Sequence, residues 1–318
     1  MKIGILLTGQ TRTFDIAKEH ILKEFDLGDD IQVDFFCHTW DTEVNFSPFN
    51  NMEHLEDRFS NHKKLNKKKI IERLQDLNPK KIKIDNYKNL QSIYETFYYP
   101  EPNKNNPKFE KSGWKHFDSK SEMPFKDEVY FSSLLGQFYS SSEAMKLLQE
   151  YEHETKEKYD IIIRWRYDLV SNHELRNKDL RRFKWTEDIE ENTIYFNIIS
   201  LWGGMVTSGD HYWYGDAASM KSFTTNLDIR YIQNLRNKIL NDFPVIMNEN
   251  IVIETLMELQ MNSKSKSIGV TPVRPGATPN MKYDKFVELA DKHEQSKRSL
   301  AASTEAGNGF PVIKENDI

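Results

Sequence analysis

The stretch Tyr159-Asp160-Ile161-Ile162-Ile163 constrains this chain more than any other. A short, almost continuous apolar run of this kind is the form taken by a strand buried on both faces of a parallel sheet. It leads without a break into Arg164-Trp165-Arg166-Tyr167-Asp168. Alternation along a strand sends Arg164, Arg166 and Asp168 to the same side, at the sheet's carboxyl rim. Three charges directly after a buried strand are costly unless a ligand or tight pairing balances them. Two guanidinium groups can neutralise a diphosphate. A carboxylate beside them can hold a divalent cation that bridges it. The plainer alternative is a structural Arg–Asp ion pair at a strand end.

The chain opens with the same grammar. Ile3 to Leu7 is apolar and stops at Thr8-Gly9, and Thr13 to Phe25 carries apolar residues at helical spacing (Phe14, Ile16, Ala17, Ile21, Leu22, Phe25). Val33 to Cys37 reads as a second strand ending at His38-Thr39-Trp40-Asp41. This β-turn-α-β start predicts a Rossmann-like α/β fold, a central, mostly parallel sheet flanked by helices. Further along, helices are expected over 64–77, 89–97, 129–151, 216–223, 229–240 and 248–261, and strands over 82–84 and 193–199. Residues 99–124, rich in Pro, Asn, Lys and Ser, read as a long loop. The division that follows is a main domain over 1–285 with an insertion around 45–125, and a mobile C-terminal tail over 286–318.

Charge and cysteine content exclude several classes. With 44 Lys and Arg against 49 Asp and Glu, the net charge is −5, which argues against a general nucleic-acid binder. The one cysteine, Cys37, lies in an apolar run, so it reads as a buried, inert thiol, and no internal disulfide or cysteine-rich metal cluster is expected. The opening apolar run is too short for a signal peptide, and no stretch reaches the ~20 apolar residues of a membrane span. The expected location is the cytosol. No Walker A loop, dinucleotide fingerprint, H-E-x-x-H or G-x-S-x-G pattern occurs.

Candidate site residues gather where strands end. Thr8-Gly9-Gln10-Thr11-Arg12 sits between the first strand and first helix, where ligands bind in open α/β sheets. Gly9 lets backbone approach a ligand, free N–H groups at a helix start attract phosphate, and Arg12 adds a cation. An ordinary tight turn with a surface arginine is the alternative. His38 and Asp41 follow strand two on the same edge. In Ser208 to Asp216, a small-residue turn precedes Tyr212, Trp213 and Tyr214, which suit either a sugar platform or the core. Asp216 reads as a helix N-cap. Asp210 and Glu249 are the candidate catalytic carboxylates, although Glu249 in a first helical turn also simply suits the helix dipole. His293 reads as a surface histidine.

Taken in order, these pieces resemble a group of bacterial and viral polysaccharide glycosyltransferases. Leu7-Thr8-Gly9-Gln10-Thr11-Arg12 resembles their G-Q-x-R opening, and His38-Thr39-Trp40 their H-x-W strand ending. Tyr159 to Asp168 resembles their Y-D-x-I-I-R-x-R-x-D segment, the most specific of the three. The Asp210 region, with Gly215 to Met220, resembles a later helix start. The similarity runs by order over about residues 1–260. The resemblance implies a GT-A fold, a nucleoside-diphosphate sugar as donor and a glycan or other hydroxyl acceptor, in polysaccharide biosynthesis. Thr8, Gly9, Gln10, Arg12, His38, Arg164 and Arg166 would then hold the donor. In that fold a D-x-D motif holds Mn2+ or Mg2+; here Asp168 takes the metal role, with Arg166 where the other Asp would stand. Asp210 or Glu249 would act as base for inverting transfer, and retaining transfer stays open. A non-catalytic nucleotide- or carbohydrate-binding protein, or a nucleotidyltransferase or hydrolase, fits the same scaffold.

Overall fold

The computed structural model describes residues 1–11, 13–44, 62–86, 128–171, 184–197, 199–202, 205–208, 211–228, 248–266 and 270–272. The chain opens with β1 (Lys2–Thr8), α1 (Phe14–Glu24) and β2 (Gln32–Trp40). The short strands β3 (Thr42–Val44) and β4 (His62–Lys64) pair with each other, and α2 (Lys67–Leu74) leads to β5 (Lys81–Asp85). The long α3 (Glu128–Thr155) precedes β6 (Ile161–Arg166), β7 (Leu169–Ser171) and β8 (Thr193–Phe196). Then come β9 (Ile199–Trp202), β10 (Met205–Ser208), β11 (Tyr212–Asp216), α4 (Ala217–Asn226), α5 (Asn248–Glu258), β12 (Asn262–Ser265) and β13 (Val270–Pro272).

Seven strands form the central sheet in the order β12-β8-β11-β6-β1-β2-β5. The pairs β6–β1, β1–β2, β2–β5 and β12–β8 are parallel. β11 alone runs against both its neighbours, β6 and β8. The mostly parallel α/β sheet expected from the sequence is therefore present.

Strand alternation sorts the side chains into two cores. On one face, Leu6, Phe36, Ile162 and Trp213 pack against Phe138, Met145 and Leu148 of α3. On the other, Ile3, Ile5, Leu7, Cys37 and Ile163 pack against Phe14, Ala17 and Ile21 of α1. The second core is rich in rings: Trp165 stacks on Tyr212 at 5.4 Å, Tyr195 stacks on Tyr214 at 4.9 Å, and Trp185 meets Tyr214 edge-on at 5.0 Å. α3 comes close to β1 because Gly4 has no side chain; a Cβ there would lie 2.5 Å from the Leu148 methyl.

The structure departs from the sequence reading in specific places. Tyr212 to Asp216 is a strand inside the sheet, where the sequence leaves the three aromatics open between a sugar platform and the core. The alternation Tyr-Trp-Tyr was a strand signal hidden by large residues on both faces, and all three rings are buried. They are core rather than sugar platform. β2 and β6 run to Trp40 and Arg166, so the polar residues at their ends belong to the strands. The strand expected over 193–199 divides into β8 and β9. Asp216 does cap α4, its Oδ1 accepting the Ser219 amide at 3.0 Å. The expected helices over 89–97 and 229–240, the 99–124 loop and the C-terminal tail lie outside the described residues. No helix among the described residues is long and apolar enough to cross a membrane.

Gly215 gives a direct test of this register. A Cβ on it would meet the Thr193 carbonyl oxygen of the neighbouring strand at 2.7 Å, and backbone cannot swing aside as a side chain can. Gly215→Ala should lower unfolding free energy by about 1–3 kcal/mol in urea titration, the usual cost of overpacking. An unchanged midpoint would place Gly215 elsewhere.

Candidate functional site at the carboxyl edge of the sheet

Three sequence-distant candidates form one row. Thr8 on β1 is in register with His38 on β2 and with Arg166 on β6. Adjacent strands lie about 4.8 Å apart, and all three side chains point to the α3 face by alternation. The row stands at the carboxyl ends of three parallel strands, where open α/β sheets bind ligands.

Arg164 lies one step below the row and is sealed in, with 1% of its surface exposed. Its Nε donates to Thr8 Oγ1 at 2.9 Å, and its Nη1 donates to the His211 carbonyl at 3.1 Å. Its guanidinium stands 4.2 Å from the centre of the Trp213 ring. A buried cation over an indole gains about 2 kcal/mol or more. Arg164 thus ties β1, β6 and β11 together and contributes positive potential from beneath the site.

Arg166 makes a two-pronged ion pair with Asp168: Nε to Oδ1 at 2.9 Å and Nη2 to Oδ2 at 2.7 Å. Asp168 lies in the turn after β6, and its side chain is 6% exposed against 19% for Arg166. Both carboxylate oxygens are engaged by the guanidinium, so Asp168 as it stands does not fit a cation ligand. Among the described residues no group of three or more His, Cys, Asp or Glu is arranged to hold a metal.

The turn after β1 is anchored from two sides. Gly9 has a φ of +106°, a backbone shape that an L side chain resists, and open space surrounds the position of its missing Cβ. Its N–H donates to Ser140 Oγ on α3 at 2.9 Å, so that amide faces inward rather than toward a phosphate. Arg73 on α2 donates from Nη1 to the Thr11 carbonyl and Thr11 Oγ1, both at 3.3 Å, and its Nε lies 3.2 Å from Asp15. Gln10 is half-buried in this turn, and Arg12 lies outside the described residues.

Ser140 also meets His38 Nδ1 at 2.8 Å, and His38 Nε2 lies 3.2 Å from Asp85 Oδ2 on β5. Tyr139 donates to the same Asp85 oxygen at 2.8 Å, and Lys83 stands 3.4 Å away. The consistent proton arrangement is Gly9 N–H to Ser140, Ser140 O–H to His38 Nδ1, and His38 Nε2–H to Asp85. The order Ser-His-Asp is that of a hydrolase triad, but this serine has no exposed surface and already accepts a backbone N–H. No acyl group can reach it. The sequence reading found His38 but missed Ser140, Asp85 and Arg73. The available signal for Ser140 was the triple serine 140–142 in the middle of an apolar helix, where serine competes poorly.

On the far side of Arg164, Asn197 Nδ2 is 3.3 Å from His211 Nδ1. Asp210, one residue before His211, lies outside the described residues. Glu249 falls in the first turn of α5, and its side chain is likewise outside them. Asp41 is buried after β2, its Oδ1 accepting the Thr42 hydroxyl at 3.1 Å.

No family profile matches the chain, and no curated protein is significantly similar to it. Among solved structures, the galactosyltransferase LgtC in complex with donor and acceptor sugar analogs overlaps 99% of this chain and 98% of its own, at 9% identity and a TM-score of 0.42. An active-site mutant of LgtC gives 0.41 over 93% of this chain and 96% of its own, at 9% identity. Mouse xyloside xylosyltransferase 1 gives 0.36 over 83% and 84%, at 11% identity. Overlaps this loose do not assign an activity to this chain.

Two titrations follow from this geometry. Desolvation holds the His38 pKa below its ordinary 6.5, outweighing the pull of Asp85. The unfolded chain therefore binds that proton first, and stability is lost as pH falls below about 6.5. Burial raises the Asp85 pKa, but the hydrogen bonds from His38 and Tyr139, with the charge of Lys83, outweigh it and leave the value at about 2. Its contribution is complete above the unfolded value of 3.8 and is lost as pH falls toward 2. Urea midpoints should thus drop between about pH 7.5 and pH 5, and His38→Gln should flatten that limb and also weaken the acid limb below about pH 4, because the His38 hydrogen bond is one of those that hold the Asp85 pKa down. A His38→Gln curve parallel to wild type above pH 5 would show that the imidazole is not the group responsible. Burial also pushes the Cys37 thiol up to about 12, so the native protein should resist iodoacetamide at neutral pH and react once unfolded.

Proposed function

We propose that this protein is a glycosyltransferase using a nucleoside-diphosphate sugar. The observation that carries the reading is the row His38–Thr8–Arg166, in which three separate sequence segments meet on one face of the sheet's carboxyl edge. The turn at 8–11 lies beside a strand-end cation and above a second, buried one. That arrangement suits a donor diphosphate.

Sugar transfer passes through an oxocarbenium-like state as the diphosphate departs. In this reading Arg166 meets the growing negative charge at the strand end. Arg164 adds its field from below, where low dielectric makes a fixed charge count for more. For Arg166 to meet phosphate, its bond to Asp168 must loosen or be shared. Asp210 is the preferred acceptor base, because it adjoins His211, whose carbonyl Arg164 holds at this edge. Glu249 is the second candidate. Mn2+ or Mg2+ would neutralise the diphosphate if Asp168 were released from Arg166. The acceptor in this reading is a glycan or another hydroxyl compound.

One observation favours a second reading, a protein that binds nucleotide or glycan without turnover. The closed Arg166–Asp168 pair needs no ligand to balance it.

The direct test is a thermal-shift screen against UDP-, GDP-, CMP- and dTDP-sugars, with and without Mn2+ or Mg2+. A donor at a hundredfold over its Kd adds about 2.7 kcal/mol of stability, a rise of several degrees. Stabilisation by one nucleotide class, with donor hydrolysis or transfer, is expected. Stabilisation without any turnover would favour the binding protein, and no stabilisation by any donor would remove the transferase reading and the nucleotide-binding one. Arg166→Gln combined with Asp168→Asn removes both charges without leaving one buried alone. It should fold, and it should weaken donor binding at least about tenfold, the loss expected for a charge-assisted contact worth about 1.5–3 kcal/mol. Wild-type donor affinity in that variant would detach the strand-end pair from the site.

A further inference from the structure

We infer that Ser140 and Arg73 are positioning residues that hold the turn over residues 8–11 in its ligand-ready shape, and this rests on reading that turn as part of the donor site. Neither side chain lies near the turn in sequence. Ser140 arrives on α3 and takes the Gly9 N–H at 2.9 Å; Arg73 arrives on α2 and takes the Thr11 carbonyl at 3.3 Å. The two bonds bracket Gln10, fixing the backbone on either side of it.

The turn's backbone runs straight into α1, Phe14 N–H donating to the Thr11 carbonyl at 2.9 Å and Ile16 N–H to the Thr13 carbonyl at 3.1 Å. Thr13 precedes α1 without a side-chain cap. Gly9, with φ at +106° and no contact around its Cβ position, is the most permissive residue in the segment. A glycine in open space gives up the most conformational freedom on ordering. Ser140 removes that freedom.

The anchors are themselves held. Ser140 is fixed by His38 Nδ1, and His38 by Asp85 on the next strand. Arg73 is fixed by Asp15 in the first turn of α1. Each anchor therefore ties the turn to a different strand or helix. A diphosphate bound to this turn meets a backbone already in place, so the ordering is not charged to binding.

The test measures donor Kd by calorimetry, donor and acceptor KM, and melting temperature for wild type, Ser140→Ala, Arg73→Met and Arg73→Lys. Ser141→Ala is the control, since its hydroxyl donates to the Gln137 carbonyl within α3 and touches nothing in the turn. Ser140→Ala and Arg73→Met should each weaken donor binding about 10- to 100-fold, the usual effect of a small misplacement. Donor KM should rise with acceptor KM unchanged. Arg73→Lys, which keeps a donor for the Thr11 carbonyl, should recover part of the loss, and Ser141→Ala should match wild type. Lower melting temperatures with unchanged donor Kd would make both residues merely structural and overturn the inference. Equal losses in Ser141→Ala would overturn it too, by tracing the effect to the helix as a whole. Should wild type bind none of the four donor classes, it is the donor-site reading that fails, and this inference falls with it.

Discussion

A guanidinium in the middle of the sheet sets the terms for everything around it. Arg164 sits where a hydrocarbon would be expected, with almost no contact with water. An uncompensated ion in such a place costs several kcal/mol even after relaxation. Thr8 from β1, the His211 carbonyl at the start of β11 and the Trp213 ring within β11 offset that cost. These partners lie on both strands that flank β6. The charge therefore selects the neighbours of β6 as well as occupying the space between them.

From that point outward, the chemistry is pushed to one edge. Strands buried on both faces have no room for polar side chains along their length, so these accumulate where the strands end. Alternation then decides which face they reach. Thr8, His38, Arg164 and Arg166 all fall on the face that α3 covers. α3 in turn presents three consecutive buried serines, of which Ser140 is small enough to approach the strand ends and polar enough to bond there. An alanine at 140 would fit the same space but leave the Gly9 amide and the His38 ring without their shared partner. The apolar face of α3 and its polar contact with the site are thus one design: Phe138, Met145 and Leu148 hold the helix down, and Ser140 uses the resulting closeness.

The same edge shows why charged motifs are hard to read one residue at a time. Arg164 and Arg166 are two positions apart and look equivalent in sequence. Their registers differ by one step along the neighbouring strands, and that step separates a sealed structural cation from one at the rim. Asp168, the same distance again along the chain, has already left the strand and folds back on Arg166. The three were expected to face a ligand together. The strand ends sooner than that expectation required: Tyr167, whose ring meets Phe14 edge-on at 5.6 Å, and Asp168 form the turn that follows β6.

Much of the architecture was legible from residues alone. The apolar runs at 3–7, 33–37 and 161–163 specified parallel strands, and the helical spacing in 14–25 and 138–148 specified their cover, because burial and periodicity are local properties. The candidate edge was legible as well, since polar residues directly after such runs can only lie at strand ends. Other features had no local signature. Tyr212 to Tyr214 became a central antiparallel strand because rings from both faces had partners waiting, which no periodicity could disclose. Ser140, Asp85 and Arg73 joined the site through pairings across distances of 47 to 131 residues along the chain. The sequence determined which residues are buried and which strands end in charge. Tertiary structure decided which charges meet, because hydrogen bonds depend on register and helix placement, and these are set only when the whole sheet closes its two cores.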